Sequence, residues 1–349
     1  MSRIASVHKV PAPYRHDQHE ITDLARASLP GVDPAFLHRL HTAAKVRSRH
    51  TVLPLDAYAS LDDFGKANDV FISNAVEMGS EAVQGALRTA GIPPEAVDLL
   101  VFASTTGMAA PSIDARLIDQ LALRPDVKRL PVFGLGCAAG AAGVARLHDY
   151  LRGWPTHVAV LVTVELCSLT FQREDTSPAN LVGSALFGDG AAALVAQGRE
   201  GDRRVDGPMV VATRSRFYPG TERAMGWDIT SSGFRIVLDP GIPGIVRAHL
   251  AADIDGFLVD HGLTRNDIGT WICHPGGPKV LDAIADTLDL PDGALDRSWG
   301  SLAEVGNLSS ASVLHVLWDT ARRRPPTGTW GLLFALGPGF CAELVLLLW

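Results

Sequence analysis

The 349-residue chain is poor in the residue that staples or metallates small folds: it has four cysteines, Cys137, Cys167, Cys273 and Cys341. Their spacing matches neither a zinc-ligand pattern nor a disulfide framework, so no metal is expected. So few cysteines in a chain of this size fit a reducing cytoplasm. Positive charge is also short. Lys and Arg number 31 against 38 Asp and Glu, for a net charge of −7. Phosphate neutralisation needs clustered cations, so nucleic acid is not expected as the main partner. The densest basic run, Lys45-Val46-Arg47-Ser48-Arg49 with Arg39 ahead of it, reads as solvated surface or as a small phosphate clamp. No long apolar run opens the chain, so no signal peptide is expected. Only the first few residues leave room for disorder. The apolar stretch from Trp330 to Trp349 is broken by Gly337-Pro338-Gly339 and carries Glu343. That makes a poor membrane span and a good pair of buried strands around a turn.

What is present is ordinary globular material, 47% hydrophobic and 20% charged. The length implies two domains or one large duplicated domain. Strand and helix signals alternate. Leu99–Ser104, Leu130–Gly134, His157–Val164, Gly190–Ala196, Pro208–Thr213, Arg235–Leu238 and Trp271–Cys273 read as strands. Ile113–Leu123, Ala138–Leu151, Ile245–His261, Pro278–Leu288 and Ser310–Arg323 read as helices. The polar run Gly198 to Arg204 divides the pattern, giving halves at 1–205 and 206–349. Such alternation predicts mixed α/β layers with helices on both faces of each sheet.

Three distant segments each offer one reactive side chain among small neighbours: Gly134-Leu135-Gly136-Cys137-Ala138-Ala139-Gly140, His274-Pro275-Gly276-Gly277, and Gly306-Asn307-Leu308-Ser309-Ser310. A thiol at a strand-to-helix turn feels unpaired N–H groups that favour thiolate. A buried inert cysteine is the commoner fate of this residue, yet it rarely needs a glycine elbow. Gly134-Leu135-Gly136-Cys137-Ala138-Ala139 also fits a dinucleotide-binding turn, but the acidic residue expected about 20 positions on is missing, since Glu165 comes too late. His274 emerges at a strand end, and strand alternation sends Cys273 to the opposite face. An imidazole there could stabilise a thiolate as a cation or donate to an oxyanion. Asn307 alone reads as a cap or turn residue. Beside an imidazole, its carboxamide completes a two-donor oxyanion site. Together the three supply covalent acyl capture and enolate stabilisation.

These segments, with Leu186-Phe187-Gly188-Asp189-Gly190, resemble the type III polyketide synthases, the chalcone synthase-like branch of the thiolase superfamily, over nearly the whole chain. The resemblance implies a thiolase-like fold of two similar halves layered αβαβα. It implies a homodimer, with Ala110-Pro111 on a loop reaching the partner, and no cofactor beyond CoA thioesters as substrates. Cys137 would carry the growing chain, while His274 and Asn307 hold the thioester oxygen of malonyl-CoA as carbon dioxide leaves. Implied substrate contacts are Phe187, Cys167, Thr170, Phe234, Ile236, Ser309, Gly337 and Pro338; Ile236 stands where the family has an aromatic residue. Implied CoA contacts are Arg39, Lys45, Arg47, Gly276 and Gly277. The segments Met225-Gly226-Trp227-Asp228 and Gly233-Phe234-Arg235 are similar to bacterial enzymes that make alkylpyrones or alkylresorcinols from a fatty acyl-CoA starter. The alternatives are a tetrahydroxynaphthalene synthase using malonyl-CoA alone, a β-ketoacyl-carrier-protein synthase III, and an idle acyl-binding scaffold. A hydrolase is disfavoured because no acid is evidently placed to orient His274.

Overall fold

The computed structural model describes residues 1–201 and 205–349. In chain order the elements are β1 (Ser2–Pro11), β2 (Tyr14–Asp17), α1 (Gln18–Ser28), α2 (Pro34–Ala43), β3 (Ser48–Thr51), α3 (Phe64–Ala90), β4 (Leu99–Ala103), α4 (Ile113–Gln120), β5 (Lys128–Val132), α5 (Ala139–Gly153), β6 (Val158–Leu166), α6 (Pro178–Leu186) and β7 (Asp189–Gly198). There follow β8 (Met209–Phe217), β9 (Met225–Thr230), β10 (Gly233–Leu238), α7 (Ile242–Val259), β11 (Ile268–Cys273), α8 (Pro278–Leu288), α9 (Asp296–Val305), α10 (Ser312–Arg322), β12 (Trp330–Gly337) and β13 (Cys341–Leu348).

Among the described residues one nine-stranded sheet runs β11-β12-β13-β8-β1-β7-β6-β4-β5. From β1 outward the pairings are antiparallel to β7, antiparallel to β6, then parallel to β4 and β5. From β8 outward the same order recurs with one strand fewer: antiparallel to β13, antiparallel to β12, then parallel to β11. On this ground we propose residues 1–205 and 206–349 as the two halves. Part of the polar run Gly198 to Arg204, its residues 202–204, lies outside the described residues.

Strand alternation sorts the side chains into layers. Val160, Val162 and Val164 of β6 pack outward against α3, in one apolar cluster with Phe71, Ala75 and Val83. Ala159 and Leu161 turn inward to α5 and α10, whose Val144, Leu147, Val313 and Leu317 share the central cluster. From the other half, Leu333 and Val345 complete that centre, while Leu332, Phe334 and Leu344 face α7 and α8. Two helices therefore lie between the two sheet halves and further helices cover the outside, the αβαβα layering of the thiolase fold.

Two differences from the sequence reading stand out. The first residues are ordered: β1 pairs with β7 along its length and with β8 at Ser2 and Arg3, so it joins the halves. Its mixed burial gives no clean two-residue period. The 27-residue α3 was not legible because Ala, Gly and Ser form much of its buried stripe; it starts at an Asp63 cap and ends at left-handed Gly91. Removing residues 1–9 should strip the sheet of its joining strand. The expected outcome is loss of soluble protein or of a cooperative melt by circular dichroism; a truncated chain that melts like the parent would refute this role.

Candidate active site

Cys137 lies in a single helical turn, Gly136–Ala138, that leads into α5, and it is 5% exposed. Gly136 takes a left-handed φ of 46°, and a Cβ there would sit 2.8 Å from Pro338. The Gly337-Pro338 turn between β12 and β13 is thereby laid against the cysteine. Gly140, the second residue of α5, has no room for a side chain because the Ser310 carbonyl and Val313 fill the space. That approach brings the Asn307–Ser310 segment beside the cysteine: Cys137 Sγ is 3.7 Å from Ser309 Oγ.

Asn307 is clamped along its backbone. Its N–H donates to Leu186 O at 2.8 Å, and its carbonyl accepts from Gly188 N–H at 3.0 Å. Its side-chain Oδ1 accepts from Ser309 N–H at 2.8 Å, and Nδ2 donates to Gly276 O at 3.1 Å. A carboxamide has two N–H donors, so one is left over. Gly276 belongs to the turn that follows His274, and the imidazole edge lies 3.6 Å from where a Cβ on Gly276 would be. His274 is 5% exposed, its N–H donates to Phe334 O, and neither ring nitrogen has a partner among the described residues. The three predicted reactive residues are thus brought into one connected cluster, with Ser309, Gly276, Gly337 and Pro338 as its links.

Burial governs the protonation states. It pushes the Cys137 thiol up to about 12, with Ser309 and Asn307 pulling the other way. It lowers His274 to about 3. Burial thus works in favour of the uncharged form of each group. Sequence reasoning set Glu165 aside; the structure puts it beside the cluster. It is fully buried at the end of β6 and accepts from Ser310 Oγ at 2.5 Å, Thr106 Oγ1 at 2.9 Å and Thr105 N–H at 3.1 Å. Burial raises its carboxyl and those donors oppose the rise. The one sequence signal was an acid closing an otherwise apolar strand.

A cavity of about 1300 Å³ opens on the other side of Phe187, lined in part by Cys167, Thr170, Phe187, Trp227, Phe234 and Ile236. Phe187 belongs to both regions, since its backbone bridges Asn307. Phe234 is packed by Phe64, Phe133 and Trp227 at centroid distances of 5.4, 6.2 and 5.9 Å, so an aromatic wall stands beside Ile236. Arg39, Lys45 and Arg47 are exposed and are not among the residues lining this cavity. Gly277 starts α8 against Leu186. Cys273 packs in the core of the second half, and all four cysteines are free. Arg49 departs from the solvated reading of its basic run: it is 3% exposed, and burial lowers its guanidinium to about 9.

The layered fold and a cysteine turn joined to a histidine and an asparagine define a thiolase-like condensing enzyme, an acyltransferase that forms carbon–carbon bonds. The chain belongs to the chalcone and stilbene synthase family, the type III polyketide synthases: the family's N-terminal domain model matches residues 35–199 and its C-terminal domain model residues 209–348. It is 60% identical, over 99% of this chain and 93% of the relative, to the 1,3,6,8-tetrahydroxynaphthalene synthase of Streptomyces peucetius subsp. caesius. A putative chalcone synthase of Bacillus subtilis is 38% identical over 87% of this chain and 86% of its own length. Among solved structures, the 1,3,6,8-tetrahydroxynaphthalene synthase of Streptomyces coelicolor A3(2), 30% identical, superimposes with a TM-score of 0.94 over 99% of both chains.

Replacing Glu165 with Leu leaves the Ser310, Thr106 and Thr105 donors buried without an acceptor. The expected loss of stability is about 3 kcal/mol, read as a lower denaturant midpoint, with Glu165→Gln intermediate. A Leu variant as stable as the parent would show that the carboxylate is not what those donors need.

Proposed function

We propose that the protein makes 1,3,6,8-tetrahydroxynaphthalene from malonyl-CoA alone, with malonyl-CoA serving as both starter and extender. The observation that carries this reading is the 60% identity, over nearly the full length of both chains, to a synthase of that product. The product's own carbon count supplies the rest. A naphthalene skeleton has ten carbons, which are five two-carbon units with none left for a side chain. Five malonyl-CoA therefore give the tetrahydroxynaphthalene, five carbon dioxide, five CoA and one water. The short segments Met225–Asp228 and Gly233–Arg235 favour a fatty acyl starter, but they weigh less than likeness along the whole chain.

In this reading Cys137 carries the chain as a thioester. Its resting thiol must lose a proton on loading, and uncharged His274 has a lone pair to take it. For decarboxylation, the unpartnered ring N–H of His274 and the spare N–H of Asn307 receive the thioester oxygen as negative charge moves onto it. The enolate carbon then attacks the Cys137 thioester and sulfur departs, so no strong base is needed to create the nucleophile. Phe187 separates this centre from the cavity in which the chain grows, with Cys167, Thr170, Phe234 and Ile236 as its walls. Ser309, Gly337 and Pro338 keep their places around the thioester. Gly276 and Gly277 flank the pantetheine, and the exposed Arg39, Lys45 and Arg47 serve the CoA phosphates.

Purified protein given malonyl-CoA alone should yield 1,3,6,8-tetrahydroxynaphthalene by mass spectrometry. A requirement for an acyl-CoA starter, with an alkylated product, would return the fatty acyl reading. His274→Ala should lower decarboxylation and condensation together by about a hundredfold or more. Cys137→Ala should stop condensation while sparing some decarboxylation; equal loss of both would argue against separate loading and enolate sites.

The same reading pairs two copies. Among the described residues β5 ends the sheet with its outer edge unpaired, and Leu130 within it, Phe133 just past it and Met108 in the loop after β4 are 40, 48 and 46% exposed. Such an edge invites a second strand, and the Ala110-Pro111 loop leads into α4, the helix that precedes β5. Light scattering should give twice the chain mass, and Leu130→Asp should reduce it toward the monomer; a monomeric parent protein would end the idea.

A further inference from the structure

Arg49 is a buried cation facing uncharged acceptors. Nη1 donates to Ser184 O at 2.7 Å and Phe187 O at 2.8 Å; Nη2 donates to Ala185 O at 2.7 Å and Gln18 Oε1 at 2.5 Å. Among the described residues no carboxylate lies within ion-pair distance of it. Its acceptors include the orphan carbonyls at the end of α6, where a cation complements the helix dipole. A cap alone would need one or two of them. This guanidinium spans three, and the third, Phe187 O, lies past the helix end.

The span matters because of what the intervening residues hold. Leu186 O accepts the Asn307 N–H and Gly188 N–H donates to the Asn307 carbonyl. The two groups that grip Asn307 sit on successive peptide units, and the second of these, Phe187–Gly188, is the unit whose carbonyl Arg49 holds. Side chains cannot be placed to within a few tenths of an ångström by a loop free to move. Gln18 steadies the arrangement from the far side: its Nε2 also donates to Ala185 O and His41 O. The His41 ring in turn meets Thr22 and Ser184.

We infer that Arg49 is a positioning residue for the decarboxylating site: by fixing the Ser184–Phe187 backbone it sets where the Asn307 carboxamide stands and where the Phe187 ring divides centre from cavity. This rests on the role given to Asn307 above.

The test compares Arg49→Met and Arg49→Lys with the parent enzyme in malonyl-CoA decarboxylation. Arg49→Met should lower kcat by about tenfold or more, with KM changed by no more than about twofold, and Arg49→Lys should recover part of the loss. In an Asn307→Ala background Arg49→Met should add little, because coupled residues are not additive. An equal loss in both backgrounds, or an unchanged kcat, would overturn the inference. Hydrogen exchange supplies an arm that does not depend on turnover. Protection should fall in peptides 183–189 and 305–310 of Arg49→Met and stay at the parent level in α3; unchanged protection at 305–310 would also overturn it. Should Arg49→Met fail to fold, Gln18→Ala, which frees one end of the guanidinium, takes its place in the exchange measurement: lost protection at 305–310 supports the inference and parent-level protection there overturns it. A parent enzyme without decarboxylase activity would remove the functional reading, while the exchange arm would still decide the place of Arg49.

Discussion

The active centre depends on one close approach, that of the start of α5 to the segment leading into α10. Both helices lie in the central layer, and the absent side chain of Gly140 lets the Ser310 carbonyl reach the α5 backbone. That contact puts Cys137 and Asn307 beside each other although 170 positions separate them in the sequence. The other features answer to it. Pro338 closes over Gly136 from one side, and the Leu186–Gly188 backbone seizes Asn307 from the other. With the main chain pinned on both flanks, the side chains need few contacts of their own, and both His274 ring nitrogens are without a partner among the described residues.

Desolvation supplies the chemical character of the site. A thiol driven upward and an imidazole driven downward by the same low-dielectric surroundings form an uncharged pair. Ionisable groups are nonetheless buried nearby, Glu165 and Arg49, and each is surrounded by hydrogen-bond partners directed at it. Burying an ion is tolerable only with such partners, and ions so held keep their neighbours in fixed positions.

The sequence made most of this legible where the signal is local. The runs Leu99–Ser104 and His157–Val164 are apolar enough to be read as buried strands, and they are β4 and β6. Pro278–Leu288 coincides with α8. The reactive side chains stood out because glycines surround them, and glycine beside a nucleophile signals a backbone that must turn sharply or be approached closely. What escaped was nonlocal. Glu165 looks like a strand terminus until Ser310, 145 residues later, is folded against it. Arg49 looks solvated by composition, and only the carbonyls at the end of α6 take it inside. The α3 helix hides because small residues make a narrow apolar stripe, and β1 because both its neighbours are strands far along the chain. Short segments and the whole chain also point to different branches of the family: Met225–Asp228 to one, and likeness along the full length to another.

The position of β1 has a bearing on biosynthesis. It is translated well before its partners, the last strand of its own half and the first of the next; Ser2 aligns with Gly198 on one side and Val210 on the other. Contacts of such long sequence separation form slowly. Until β7 has been made this segment lacks its partner strand, and an unpaired strand is sticky. The nascent chain therefore carries an aggregation-prone segment until then, and recombinant yield should respond to translation speed and chaperone supply more than to the stability of the finished enzyme.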